Sequence, residues 1–365
     1  MKAVISGVLC ALLIWIQMPT AQAVGTSASS AILMEKESGR VLYEQNSAQP
    51  RLIASTTKLM TALVALESGC SLQEYVTVPK EAVGVEGSSI YLREGERLTL
   101  EELLYGLLLH SGNDAAMAVA IHCGGSVEQF VSAMNEKAGQ LGMEHSHFEN
   151  PSGLDGTEHY ASAYDMALLA RACLENEELA AILATKTILM GERTLTNHNK
   201  LLWRYQGCIG LKTGYTEKAG RTLVSAAKRD GMTLIAVTLN APDDWNDHAA
   251  LFDWGFSNYQ LVQVTGKGST IGRLPVSGAL QPFVTAAAGE DFCYPVCRRD
   301  GMSLSFRWIS HPLTAPVAQG SKAGELNVFC NGHQVGSVPL VVRYGAARAV
   351  VEDKGILQRI GSLIS

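Results

Sequence analysis

Apolar residues along this chain run together in some stretches and alternate with polar ones in others, and each regime predicts a different element. Ala31-Ile32-Leu33-Met34 and Val41-Leu42-Tyr43 flank Lys36-Glu37-Ser38-Gly39-Arg40, which predicts a β-hairpin with Gly39 in its turn. An apolar run over residues 59–66, between the irregular Gln49-Pro50-Arg51 and Gly69, predicts a helix whose first residue is Ser55. Residues 71–98 mix glycines with short β-prone pieces and read as an excursion from the main body. Thr99-Leu100-Glu101-Glu102 is a capping box opening an apolar helix over residues 103–109, which stops at His110-Ser111-Gly112-Asn113. A further helix is expected from Asp114 to about Cys123. Ser126 and Ser162 cap two more, ending near Gly139 and Glu175, with a loop over residues 148–156 between them. Residues 185–203 read as extended. Residues 209–213, 222–228 and 232–239 read as strands, the last two joined by the turn pair Asp230-Gly231, and an amphipathic segment over residues 247–259 closes the first region. From Leu261 onward, short alternating stretches broken by Gly, Pro and Ser predict a small all-β domain without a candidate catalytic cluster.

At 365 residues and 47% hydrophobic content, the chain can bury a large core and is expected to form two domains. The net charge is −6, from 29 basic and 35 acidic residues spread without long runs, which speaks against a nucleic-acid-binding surface. Lys2, an apolar segment over residues 4–16, Pro19 and Ala21-Gln22-Ala23 read as a secretory signal cleaved after Ala23. Its apolar part is shorter than the roughly 20 residues that span a bilayer, so an exported protein is expected. Cys10 is no lipoprotein cysteine, because bulky Leu9 precedes it. The seven remaining cysteines (Cys70, Cys123, Cys173, Cys208, Cys293, Cys297 and Cys330) are odd in number and scattered, unlike a disulfide framework. Cys293 and Cys297 with Cys330 and His333 are spaced too loosely for a zinc site to be expected; one disulfide or free thiols in strands is the plainer reading, and no metal or cofactor is expected.

Candidate chemistry concentrates at Ser55-Thr56-Thr57-Lys58. A serine at a helix start faces unsatisfied N–H groups and the positive end of the helix dipole, and a lysine three residues on returns to the same side of the first turn. That geometry can activate a hydroxyl. The second copy of the pattern, Ser225-Ala226-Ala227-Lys228, falls on a predicted strand, where residues three apart point to opposite faces. Ser111-Gly112-Asn113 and Lys212-Thr213-Gly214 complete an ordered set of three motifs, each at the kind of junction it needs.

With these motifs the chain resembles the low-molecular-mass penicillin-binding proteins that are D-alanyl-D-alanine carboxypeptidases, the family that includes penicillin-binding protein 5. The resemblance runs from Ser30 to about Tyr259 and takes in Gly39-x-Val41-Leu42-Tyr43, Ser111-Gly112-Asn113-Asp114-Ala115, Asn150-Pro151-x-Gly153-Leu154 and Lys212-Thr213-Gly214-Tyr215-Thr216. It implies an α/β penicillin-binding, β-lactamase-like serine transpeptidase fold, an antiparallel sheet flanked by helices, followed by the small all-β domain. The expected domains are a signal at 1–23, a catalytic domain at 24–260, a β-rich domain at 261–350 and a possible membrane-anchoring tail at 351–365.

A serine hydroxyl is a poor nucleophile, and a lysine can serve as its base only when neutral, which needs burial or a nearby positive charge. Lys58 is expected to be that base, with Lys212 supplying the charge. The resemblance further implies that Ser111 bridges the two lysines and relays the proton to the leaving group. Asn113 would hold the substrate amide, Lys212 and Thr213 the terminal carboxylate, and the N–H groups of Ser55 and Tyr215 would form the oxyanion hole. Gly214 would let substrate lie against the strand edge. The best-known members carry an arginine for the carboxylate where this chain has His198, which is read either as a pH-sensitive carboxylate contact titrating near neutrality or as a surface residue. The expected partners are the peptidoglycan pentapeptide stem and, as covalent inhibitors, β-lactams. Two rival readings stand beside this one: a β-lactamase, whose Glu-x-x-Leu-Asn loop is absent at Asn176-Glu177-Glu178-Leu179-Ala180, and a non-catalytic β-lactam or muropeptide sensor. In the tail, Ile356, Leu357, Ile360, Leu363 and Ile364 recur at helical spacing, which suits a helix lying in a membrane surface but too short to cross it.

Overall fold

The computed structural model describes residues 24–298 and 303–349; the expected signal and the tail at 354–365 lie outside these. β1 (Ser30–Glu35) and β2 (Val41–Gln45) form the predicted hairpin, with Gly39 at φ 70°. A 3₁₀ turn, Ala54–Thr57, leads into α1 (Lys58–Glu67). The excursion carries the short pair β3 (Tyr75–Thr77) and β4 (Arg97–Thr99). Next comes α2 (Leu100–Leu109), whose capping box at Thr99 and Glu102 is fully formed, then α3 (Asn113–Gly124) and α4 (Val127–Gln140). Ser162 caps α5 (Ala163–Glu175) by accepting from the Asp165 N–H.

The sequence reading differs from the fold in one segment. Asn176 caps α6 (Glu177–Ala184), which was not anticipated, by accepting from the Leu179 N–H. Residues 185–203 are only partly extended: β5 (Thr187–Met190) and β6 (Arg193–Thr196) make a hairpin turning at Gly191, and α7 (Leu201–Arg204) follows, its first N–H donating to Asn199 Oδ1.

β7 (Cys208–Thr216), β8 (Gly220–Arg229) and β9 (Met232–Leu239) join the first hairpin in a five-stranded antiparallel sheet of order β2-β1-β9-β8-β7, and α8 (Asp244–Asn258) packs on it. Alternation along the central strands splits their apolar residues between two layers. Ile32, Met34, Val224, Ala226, Ile235 and Val237 face the large helical cluster around α1. Leu33, Leu223, Leu234 and Ala236 face Leu251 and Phe252 of α8. A helix buried on every side must be apolar almost all round, and α1 is buried from residue 58 to 65, with Lys58 and Thr61 the exceptions in chemistry but not in burial.

The β-rich part begins as α8 ends. β10 (Tyr259–Thr265) pairs with β13 (Phe292–Cys297), while β11 (Thr270–Ser277), β12 (Phe283–Ala288), β14 (Leu304–Ser310), β15 (Leu313–Thr314), β16 (Lys322–Cys330) and β17 (His333–Val342) form a sheet of order β14-β16-β17-β12-β11-β15. It has its own apolar cluster, including Val284, Ala286, Leu326, Val338 and Leu340. Cys293, Cys297 and Cys330 are free thiols on strands. Among the described residues, the ligand atoms close enough to share an ion are those of Cys70, Glu74 and His122, not those of this set.

Candidate active site

Ser55 lies within the 3₁₀ turn and Lys58 opens α1, so the two are brought together one turn before the α-helix proper. Lys58 Nζ is 2.9 Å from Ser55 Oγ and 2.7 Å from Asn113 Oδ1, and it also donates to Ser152 O. The Asn113 amide is oriented by its Nδ2, which donates to Glu86 O. Asn113 Oδ1 and Ser152 O can only accept. A neutral amine has two N–H bonds and one lone pair; the two acceptors take the N–H bonds, which leaves the lone pair for the Ser55 hydroxyl proton. Lys58 is fully buried, and its pKa is held well below the usual lysine range, first by burial and then by the charge of Lys212, with Asp114 opposing. The sequence reading credited Lys212; burial is the larger cause.

The turn bearing Ser55 is fastened from several sides. Thr57 Oγ1 donates to Ala54 O at 2.8 Å and lies 2.7 Å from His159 Nε2. His159 Nδ1 accepts from the Glu149 N–H, so Nε2 carries the proton, and burial lowers the pKa of this histidine to about 4. Asn150 Oδ1 accepts from the N–H groups of Ser152, Gly153 and Leu154, a tight turn that aims Ser152 O at Lys58. Gly153, at φ 84°, is required there: a Cβ would come within 2.0 Å of Ala54 O.

On the other side, β7 carries the third motif along the sheet edge. Its register slips between Cys208 and Gly210, and Gly210 and Leu211 both have positive φ, a bulge that re-aims the strand just before Lys212. Lys212 is buried, donates to Thr213 O at 3.0 Å, and has its pKa lowered to about 7 by that burial. A Cβ on Gly214 would lie 2.4 Å from Thr222 Oγ1 and 3.0 Å from Ser55 N. Gly214 thus lets β7 close on the Ser55 turn, and it also lines the cleft beside Thr213 and Tyr215. The close approach sets the N–H of Ser55 beside the strand carrying Tyr215.

A cleft of about 320 Å³ opens here, lined by Ser55, Ser111, His198, Thr213, Tyr215 and Arg221 among others. Ser111, at φ 65°, faces it, and among the described residues its Oγ makes no hydrogen bond, so the expected bridge to the two lysines is not made directly. Asn113 holds Lys58 and Glu86 rather than lining the cleft. Asp114 accepts from the Ile90 and Leu92 N–H groups and from Ser89 Oγ, fixing the segment whose Ser88 forms part of the rim.

His198 is displayed between two buried asparagines: Asn197 Nδ2 donates to Leu183 O and Thr185 O, and Asn199 Nδ2 to Gly210 O. The residue is exposed at its edge while its ring lies 5.2 Å from the His110 ring. Lost solvation, then the charges of Lys212 and His110, lower its pKa to about 4. Ser225 and Lys228 behave as a strand predicts: Ser225 Oγ is buried against His248 Nδ1 and Lys228 is exposed.

Residues 17–243 match the family model described as D-alanyl-D-alanine carboxypeptidase. This chain belongs to that family. Residues 259–344 match the C-terminal domain of penicillin-binding protein 5. The carboxypeptidase DacF of Bacillus subtilis is 33% identical over 88% of this chain and 86% of its own length, and DacD of Escherichia coli 32% identical over 86% and 85%. Among solved structures, penicillin-binding protein 3 of Streptococcus pneumoniae superposes with a TM-score of 0.80 at 27% identity, covering 88% of this chain and all of that one. Penicillin-binding protein 5 of Haemophilus influenzae gives 0.77 at 28%, covering 90% and 99%. The fold is thus that of the penicillin-binding carboxypeptidases, and the catalytic reading prevails over the sensor.

Three parts of this carboxypeptidase site escaped the sequence reading. Asn150 and Ser152 stood in a noted motif without a role, because a carbonyl oxygen has no signature in side-chain chemistry. His159 stood alone, with nothing to tie it to Thr57. Arg221, which pairs with Asp244 at 2.7 Å and lies 5.4 Å from the Trp245 ring, joins the cleft wall only through tertiary contacts.

Proposed function

We propose that this carboxypeptidase removes the terminal D-alanine from peptidoglycan pentapeptide stems through an acyl-enzyme on Ser55, with Lys58 as the base. The observation that carries the reading is the position of buried Lys58 Nζ, 2.9 Å from Ser55 Oγ and held by two acceptor-only neighbours. Ser55 Oγ attacks the carbonyl carbon of the scissile amide and gives its proton to Lys58 Nζ. The developing oxyanion is received by the N–H groups of Ser55 and Tyr215. The proton then passes by way of Ser111 to the leaving nitrogen, D-alanine departs, and water hydrolyses the ester. β-Lactams acylate the same serine by opening their ring amide. Thr213 and Lys212 receive the terminal carboxylate beside Gly214, and Asn113 positions Lys58. Ser55→Ala is expected to abolish labelling by a fluorescent penicillin and D-alanine release together; labelling that persists, or moves to Ser225, overturns the assignment.

His198 and Arg221 stand on the cleft wall where a carboxylate would dock, and we assign them to its recognition. His198 is neutral at pH 7, so it acts as a hydrogen-bond donor there and gains charge only as the pH falls toward 4. His198→Ala and Arg221→Ala should each raise KM for the pentapeptide severalfold with kcat nearly unchanged, the His198 contribution being flat from pH 6 to 8. An unaltered KM removes the residue from the binding site.

Residues 24–260 are taken as the catalytic domain and 261–350 as a β-rich module, in an enzyme exported to the cell envelope. The apolar stripe of residues 354–365 is proposed to rest on the membrane surface. Removing these residues should release the protein from sedimenting liposomes without changing hydrolysis of a soluble pentapeptide; intact protein that never sediments excludes the anchor.

A further inference from the structure

The ends of α1 and α3 remote from the catalytic cleft converge on a second cluster of reactive side chains. Cys70, just beyond α1, Glu74, and His122 in the last turn of α3 bring one ligand atom each to within 4.8 Å of one another. Cys123, next to His122, has its thiol beside the Cys70 thiol and the Ser68 hydroxyl, but its sulfur does not share that spacing with all three ligand atoms. His122 Nε2 is buried without a hydrogen bond, although Glu74 Oε1 is 3.2 Å away, because the two are not aligned for one. A buried, unpaired ring nitrogen beside a carboxylate and two thiols is a donor set that a cation satisfies.

We propose that Cys70, Glu74 and His122, joined by Cys123 through a rotation of its side chain, form a zinc site that ties the ends of α1 and α3 together. Two thiolates, one imidazole nitrogen and one carboxylate oxygen supply the four-coordinate set that structural zinc takes, and binding releases the two thiol protons to solvent. Both helices point their C-terminal, partially negative ends at the cluster, which favours a cation there. Glu74 is supported from behind: its Oε2 accepts from the Ser71 N–H at 3.4 Å, and its backbone oxygen accepts from the Leu100 N–H at 2.9 Å. Since α1 begins at Lys58 and α3 at Asn113, the ion would fasten, from the far end, the two helices whose first residues hold the base and its partner.

The test uses the mature protein purified under reductant, with elemental analysis for zinc and titration of the chelated protein with cobalt(II). One zinc per chain is expected. The cobalt form should show the strong visible bands of tetrahedral coordination and thiolate charge transfer, two thiols should become protected from a thiol reagent, and chelation should lower Tm. Cys70→Ser and Cys123→Ser should each lose the bound metal and the charge-transfer bands, while penicillin labelling at low temperature is retained. The cobalt titration of the unaltered chain needs no variant and so stands if the variants fold poorly. Absence of both zinc and cobalt bands in the unaltered protein, or a Cys70–Cys123 disulfide found by mass spectrometry of the purified protein, overturns the proposal.

Discussion

Lys58→Ala is expected to lower the rate of acylation by a fluorescent penicillin by about 10³-fold, within the range that a positioned general base contributes. The substitution removes the one group whose lone pair faces the Ser55 hydroxyl. Its effect on stability is the resultant of two opposed changes. Asn113 Oδ1 and Ser152 O lose their donor, at about 1–3 kcal/mol for each buried group left unpaired. Against this, a fully buried amine whose charged form is disfavoured by burial is gone. A folded, inactive variant follows, and thermal melts beside the acylation rate check both parts. Acylation near the wild-type rate would require a base other than Lys58. In the unaltered enzyme the pH profile has a definite sign. Protonated Lys58 cannot accept the serine proton, so acylation falls as the pH drops through its depressed pKa. Lys212, titrating at about 7, is charged below that value and neutral above it, so in the free enzyme its attraction for a carboxylate fades as the pH rises past 7. The two lysines are coupled, and a measured bell belongs to the pair.

Gly153→Ala should reduce kcat/KM by at least ~10²-fold and lower Tm as well. Two effects add at this position. An L-residue at φ 84° carries a penalty of about 1–2 kcal/mol. The new Cβ would also sit 2.0 Å from Ala54 O and 2.8 Å from Thr57 Oγ1. Backbone cannot give way as a flexible side chain can, so the turn that displays Ser55 must move, and a displacement of about 1 Å at a reacting group can cost about 10²-fold in rate. Gly142 provides the control, with φ 72° and open space where its Cβ would go. Gly142→Ala should show the stability loss alone. Equal losses of activity in the two variants would mean that the contact with Ala54 is not what matters.

Much of the site was legible because its motifs are local. Ser55 and Lys58 meet within one turn, the Thr99 capping box sets the helix that delivers Ser111, and the Asp230-Gly231 turn fixes the β8–β9 hairpin. What escaped depends on backbone groups or on partners distant in the chain. Ser152 contributes a carbonyl, which any residue has; only the Asn150 turn gives it direction. A bridge at Ser111 requires side chains from α1 and β7 to converge, which spacing along the chain does not display, and Asn113 joins Lys58 from the same motif. The lowered pKa of His198 arises from burial first and then from Lys212 and His110, on β7 and just beyond α2, none of which its own segment reveals.

Eight non-glycine residues among those described have positive φ, and four are the asparagines and aspartate common in turns. The other four are Ala54, Tyr91, Ser111 and Leu211: the residue before Ser55, a residue of the segment pinned by Asp114, the first residue of the second motif, and the residue before Lys212. Left-handed backbone at such residues carries about 1–3 kcal/mol apiece, held in place by the surrounding fold. Under selection for heat tolerance, glycine at Ala54 would relieve this strain, whereas at Leu211 it would also empty a fully buried core position and cost more than it relieves. The same replacement at Ala54 would loosen the backbone that presents Ser55, so lineages evolving toward hotter habitats would meet a trade between endurance and turnover at this very position.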